Sequence, residues 1–147
     1  MSTRNEQFLD RLLQLAALLG DDTERELGRL GLTRSRAHVL WSIAGDGPKP
    51  QHALAGELGV TPRAITGIVD ALAADGHAER RAHPSDRRAV LVALTPSGER
   101  MMQTMQRDHA QLADALVEGV PAEDREALDR GLASVIARLQ ELIEAAS

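Results

Sequence analysis

The first thirty residues carry apolar side chains at a helical spacing. Four large ones are separated by four, three and four positions: Phe8, Leu12, Leu15 and Leu19. This is the period of one face of an α-helix, and it predicts a first helix over about residues 5–30. The stretch LTRSRAHVLWSIAGDG predicts a second helix, with Thr33 as its N-cap and an end at GDGP.

The next stretch, QHALAGELGVTPRAITGIVDALAADG, predicts two helices joined by a tight turn. The first covers about residues 51–58 and ends at Gly59. The second, over about residues 62–75, has Thr61 as its N-cap, Pro62 at its first position and Gly76 after its end. Its apolar side is Ile65, Ile68, Val69 and Leu72. Its opposite side carries Thr61, Arg63, Ala64, Thr66, Gly67 and Asp70. The arrangement is that of a helix-turn-helix.

Two strands follow directly. HAERRAH and RAVLVAL, residues 77–83 and 88–94, flank the turn residues PSD, and the second strand is rich in β-branched valine. A hairpin over residues 78–94 with a charged tip, placed after a helix-turn-helix, predicts a winged helix.

The rest of the chain predicts two further helices. One begins with Thr95 and Pro96 and runs to about Glu118, and the other begins within AEDRE. The last helix has an apolar seam with intervals of four, three, four and three: Leu128, Leu132, Val135, Leu139 and Leu142. Such a seam is typical of helices that pair with a partner, so we expect both ends of the chain to pair with their copies in a homodimer.

These elements predict a mostly α fold with a small β-hairpin wing. We expect a single domain over residues 1–147. Within it, we expect a winged helix-turn-helix lobe over about residues 33–95 and dimerisation helices over about residues 1–30 and 96–147. The length of 147 residues fits one domain with its own core.

Composition removes several classes of function. The chain has no cysteine, which excludes disulfides and thiol chemistry. No apolar run approaches the roughly 20 residues of a membrane span, and the start of the chain lacks the apolar core of a signal peptide. We therefore expect a cytoplasmic protein without a membrane partner.

The charge is unevenly distributed. The net charge is −5, yet residues 61–107 hold seven arginines against five acidic residues. Sixteen of the seventeen basic side chains are arginine, which forms bidentate contacts with phosphates and bases. A basic centre followed by an acidic C-terminal tail favours a nucleic-acid partner for the predicted lobe.

The wing sequence DRRAVLVALTPSG resembles the signature of the MarR-type bacterial transcriptional regulators. Asp86 and Arg88 are followed after five residues by Leu94 and Thr95, and Gly98 stands three further on. LAGELGVTPRAITGIVDALAADG and GLTRSRAHVLWSIA resemble the helix-turn-helix and second helix of the same family. The resemblance implies a homodimer, usually a repressor, that binds a pseudo-palindromic operator in double-stranded DNA.

The resemblance also implies which residues meet DNA. Those on the major-groove side are Thr61, Pro62, Arg63, Thr66 and Gly67. In the wing, Arg87 or Arg88 reaches the minor groove, and Asp86 orients a wing arginine. Of the first group, Arg63 is the best candidate to bind a guanine edge.

Many members of such a family release DNA when a small aromatic or phenolic compound binds. His38 and Trp41 are candidate residues of such an effector pocket. Trp41 also fits an ordinary core position, because Val39, Leu40 and Ile43 surround it in sequence.

Other functions find less support. The chain has no phosphate-binding glycine loop, no nucleophile elbow, no cofactor motif and no helical pair of zinc-binding histidines, so we expect neither an enzyme nor a metal site. Two alternatives remain open. One is a metal-responsive repressor of the same fold. The other is a winged-helix dimer that serves as a protein-interaction module. The negative net charge and the small residue Gly67 on the second helix of the helix-turn-helix are the features that support it.

Overall fold

A computed structural model describes all residues from 1 to 147 and contains six helices and three short strands. The elements are α1 (Arg4–Arg29), α2 (Arg34–Asp46), β1 (Lys49–Pro50), α3 (Gln51–Leu58), α4 (Pro62–Ala74), β2 (Ala78–Ala82), β3 (Val90–Leu94), α5 (Pro96–Glu118) and α6 (Ala122–Ala146). The prediction of a mostly helical fold with a β-hairpin wing is confirmed.

Local sequence explains where the helices begin and end. The hydroxyls of Thr33 and Thr61 accept hydrogen bonds from the backbone amides at the third helical positions of α2 and α4, at 3.2 and 3.1 Å. Gly59 and Gly76 have φ angles of 65° and 78°, a region that glycine enters without a steric penalty, and both follow a helix end. The turn between α3 and α4 is therefore set by residues 59–61.

The three strands form an antiparallel sheet in the order β1-β3-β2. Val92 is central, because it pairs with Lys49 on one side and with Arg80 on the other. The strands of the hairpin are shorter than expected: residues 77 and 83 lie outside β2, and residues 88 and 89 lie outside β3. The loop between them accordingly covers residues 83–89.

The chain divides into two compact units, residues 1–103 and 104–147. The core of the first unit is built from side chains of α2, α3, α4, β3 and the start of α5. Those that are almost fully buried are Val39, Leu40, Leu54, Ile65, Val69, Leu72, Val92 and Met102. Each contributes about 1.5–3 kcal/mol by leaving water. Three of the four apolar residues predicted for α4 are buried, whereas Ile68 is half-buried.

The second unit contains most of α5 and all of α6. No residue of α6 is buried, and its seam is in large part exposed, with Leu139 at 56%. Exposed apolar side chains also line α1, which lies in the first unit: Phe8, Leu9, Leu13, Leu15, Leu18 and Leu19. None of the helices combines the length and apolar character needed to span a membrane.

Candidate nucleic-acid interface

The beginning of α4 presents a polar and small-residue surface to solvent. The five residues predicted to face a groove are all exposed: Thr61, Pro62, Arg63, Thr66 and Gly67. The Arg63 guanidinium forms no hydrogen bond or ion pair within the chain. A Cβ placed on Gly67 would have no neighbouring atom within 4 Å, so the surface there is open.

The hydroxyl of Thr66 is engaged within the protein. It donates to the carbonyl oxygen of Pro62 at 2.9 Å and accepts from the side-chain amide of Gln51 at 3.0 Å. The bond to Pro62 runs back along α4 by one turn, and the bond from Gln51 comes from the start of α3. The polar atom of Thr66 therefore helps to hold the two helices together.

Arg80 of β2 joins this group of side chains. Its Nε donates to Gln51 Oε1 at 3.0 Å, and one terminal nitrogen donates to the carbonyl oxygen of Thr66 at 3.3 Å. The other terminal nitrogen lies 2.7 Å from a carboxylate oxygen of Asp70. Arg80 thus links its own strand, β2, to both α3 and α4. The sequence alone did not single it out, because these partners are 10 to 29 positions away.

The wing loop is organised by His83 and Asp86. The Nδ1 atom of His83 accepts hydrogen bonds from the backbone amides of Ser85 and Asp86, both at 3.1 Å. One carboxylate oxygen of Asp86 accepts from the backbone amide of Arg88 at 3.0 Å. Both interactions are local, and together they fold residues 83–88 into a compact tip.

Asp86 contacts a wing arginine through the backbone of that arginine. Its carboxylate accepts from the amide of Arg88 and forms no ion pair with a wing guanidinium. The side chains of Arg87 and Arg88 are exposed and form no hydrogen bond or ion pair within the chain. Arg81 differs from them, since it pairs with Glu79 at 2.7 Å.

The end of the wing is fixed to the start of α5. The Thr95 hydroxyl donates to the carbonyl oxygen of Gly76 at 2.5 Å. The Thr95 backbone amide donates to the carbonyl oxygen of His77 at 3.2 Å. The amide of Gly98 in turn donates to the Thr95 hydroxyl at 3.0 Å. Thr95 and Gly98 therefore have a structural role in the wing signature, which holds the hairpin against the end of α4.

A charged cluster connects α2, β1 and α3. The ammonium of Lys49 binds the carboxylates of Asp46 and Glu57 and lies 2.9 Å from the Ser42 hydroxyl. Hydrogen bonds to Asp46 and Glu57 raise the pKa of Lys49 above its usual 10.5. Hydrogen bonds from Lys49 and Ser42 lower the pKa of Glu57 below its usual 4.5. The cluster fixes α3, and hence the turn before α4.

The two candidate pocket residues lie on α2, three positions apart. His38 is exposed, and Trp41 is half-buried, so Trp41 is not a fully buried core residue. Their role in binding an effector stays a prediction. Nowhere do three or more histidine or carboxylate side chains come together in an arrangement that could hold a metal ion.

Comparison with known proteins identifies the family. Residues 32–90 match the sequence profile described as the MarR family. The HTH-type transcriptional repressor YetL of Bacillus subtilis is 27% identical over 136 residues, which are 91% of this chain and 81% of that protein. The multiple antibiotic resistance protein MarR of Salmonella typhimurium is 32% identical over 75% of this chain and 77% of its own.

Solved structures show the same fold. FabT of Streptococcus pneumoniae in complex with DNA superimposes with a TM-score of 0.78 at 21% identity, over 92% of this chain and 99% of that one. RV1404 of Mycobacterium tuberculosis gives a TM-score of 0.75 at 25% identity, over 94% and 95%. YetL is named as a transcriptional repressor, not as an enzyme. With its winged helix, its wing signature and a relative of 32% identity, this chain belongs to the MarR family of transcriptional regulators.

Proposed function

We propose that the protein is a homodimeric repressor that binds a specific operator in double-stranded DNA. In this proposal α4 enters the major groove, the wing lies at the minor groove, and a small aromatic or phenolic effector releases the complex. The observation that carries the proposal is that exposed arginines with unengaged guanidiniums stand at the start of α4 and at the wing tip. The guanidiniums of Arg63, Arg87 and Arg88 form no hydrogen bond or ion pair within the chain.

The pairing of the neighbouring arginines strengthens the argument. Arg80 and Arg81 are each within 2.7 Å of a carboxylate, so their charges are offset inside the protein. The guanidiniums of Arg63, Arg87 and Arg88 keep all their donors for phosphates and base edges, groups to which arginine can bind bidentately. Positive charge is thus available at the two positions where a winged helix meets the grooves of DNA.

Exposed apolar faces support the homodimer. The leucines of α1 and the seam of α6 would cost free energy in water, and burial against a second copy removes that cost. A two-fold dimer would bind two half-sites about 34 Å apart or at a multiple of that distance. Leu139→Glu should convert the protein to a monomer in sedimentation. Gln140→Glu, which adds the same charge next to the seam, should leave the dimer intact. A monomeric wild type would contradict the dimer.

Repression is supported by a relative, because YetL is named as a transcriptional repressor. Release by a small aromatic or phenolic effector is the part of the proposal that rests on the family resemblance. An effector lowers the affinity for DNA when it prefers a dimer with the wrong half-site spacing. It must bind that dimer more tightly than the dimer that fits DNA. His38 and Trp41 are our candidates for contact with it. We also propose that the protein acts in the cytoplasm, because a bacterial regulator meets its DNA there.

Fluorescence anisotropy with the intergenic DNA beside the protein's own gene tests the proposal. Affinity should fall steeply with salt, because phosphate contacts release counterions. Arg88→Ala should weaken binding by about 1–3 kcal/mol. Arg29→Ala removes the same charge from the end of α1, where it pairs with Glu26, and serves as the control.

Binding to that DNA no tighter than to random DNA would contradict the repressor. A preference that appears only with added zinc would favour the metal-responsive alternative. Weak binding without a salt dependence would favour the protein-interaction module.

A further inference from the structure

We propose that Arg80 is a positioning residue for α4, and that it acts as a pair with Asp70 rather than by contacting phosphate. This inference rests on the DNA-binding function proposed above. Arg80 is the one arginine near the interface whose donors are shared among α3 and two sites on α4, namely the Thr66 carbonyl and the Asp70 carboxylate.

The geometry favours positioning over phosphate binding. The Arg80 side chain is 33% exposed, and three of its nitrogens are already used within the chain. Its position on β2 links the wing strand to the helix that would lie in the major groove. A rigid link between these two elements fixes the distance between the groove contacts of α4 and those of the wing, and specific binding depends on that distance.

Asp70 gives the pair a second effect. Its carboxylate is 61% exposed and stands on the polar side of α4, where a free negative charge would repel phosphate. Arg80 lies 2.7 Å from it and offsets that charge. The pair therefore allows α4 to carry an acidic residue near the proposed interface.

The double variant Arg80→Gln with Asp70→Asn separates positioning from phosphate contact, because it removes the pair without changing the net charge. The readouts are the ratio of affinities for operator and scrambled DNA, and the dependence of each affinity on salt. We expect the ratio to fall about tenfold or more, because bonds to a charged group are lost, while the salt dependence stays as in the wild type. The control is Arg81→Gln with Glu79→Gln, which removes the neighbouring ion pair of β2 and should keep the wild-type ratio.

Two results would overturn the inference. An unchanged ratio with unchanged affinities means that the pair has no role in binding. Equal losses on both DNAs, with the salt slope reduced by about 0.9, mean that Arg80 contacts phosphate. If the double variant fails to fold, as judged by circular dichroism, Gln51→Ala removes one partner of Arg80. Gln51→Ala should lower the ratio to a smaller extent at unchanged salt slope, and an unchanged ratio would again overturn the inference.

The wild type tests the proposed function separately. If it does not prefer the operator over scrambled DNA, the proposed function fails. If it does prefer the operator and the double variant keeps that preference, only the role of Arg80 is refuted.

Discussion

A Cβ atom on Gly98 would lie 1.9 Å from the carbonyl oxygen of His77, so the first turn of α5 packs directly on the backbone that leads into β2. We expect Gly98→Ala to lower the free energy of unfolding by about 3 kcal/mol, because backbone, unlike a side chain, cannot rotate out of the way. Urea denaturation measures the loss. Gly56→Ala, where a Cβ meets nothing within 4 Å, should instead stabilise α3 by about 0.8 kcal/mol. A Gly98→Ala protein as stable as the wild type would refute the close contact.

The engaged hydroxyl of Thr66 predicts that this residue offers its methyl group to DNA. Thr66→Val keeps a methyl at that position but loses the bonds of the hydroxyl to Pro62 and Gln51. It should therefore weaken binding to operator and scrambled DNA alike and keep the sensitivity of the operator to the thymine methyl. Thr66→Ser keeps the hydroxyl, and its loss of the methyl should cost about 0.8 kcal/mol at a thymine. Replacing each operator thymine by uracil in anisotropy titrations locates the contact. At the contacted position the replacement should weaken binding by the wild type but not by Thr66→Ser. Sensitivity to the thymine methyl that is kept in Thr66→Ser and lost in Thr66→Val would show that the hydroxyl contacts the base.

The bond from the Arg88 amide to Asp86 predicts that operator binding requires the hydrogen-bond acceptor at residue 86 and not its negative charge. Asp86→Asn retains an oxygen acceptor and should bind operator with nearly wild-type affinity. Asp86→Ala leaves the Arg88 amide without that acceptor, and we expect operator binding to weaken by about 1 kcal/mol because the wing tip is less ordered. Equal losses in both variants would instead indicate that the negative charge itself is required.

The cluster around Lys49 predicts how stability depends on pH. The pKa of Glu57 is lowered, so its contribution to stability is present above about pH 4.5 and is lost as the pH falls through the folded-state value. The pKa of Lys49 is raised, so its contribution is present below about pH 10.5 and is lost as the pH rises further.

Glu57→Gln should therefore be less stable than the wild type at neutral pH, and the difference should shrink as the solution is acidified. Urea unfolding between about pH 7 and about pH 3 follows that difference. Glu126→Gln changes a carboxylate that is 87% exposed and serves as the comparison. A difference between wild type and Glu57→Gln that stays constant over this range would contradict the prediction.

The helices could be predicted from sequence because their signals are local. Thr33 and Thr61 cap α2 and α4 as expected, and Gly59 forms the turn. The strand β1 was missed because two residues, one of them proline, carry no periodicity, and their partners lie more than forty positions away in β3. Arg80 was missed for the same reason. Its role depends on Gln51 and Asp70, which only the folded chain brings together.

Lys49 is the only lysine in the chain, and its ammonium is enclosed by two carboxylates and a hydroxyl. Acylation of that amine would abolish its charge and disrupt the contacts between α2 and α3, so its first effect would be on stability. The exposed positive charges proposed to meet DNA are all arginines, which lysine acyltransferases do not modify. Enzymatic acylation therefore has no amine to neutralise on the proposed DNA-binding surface of this protein.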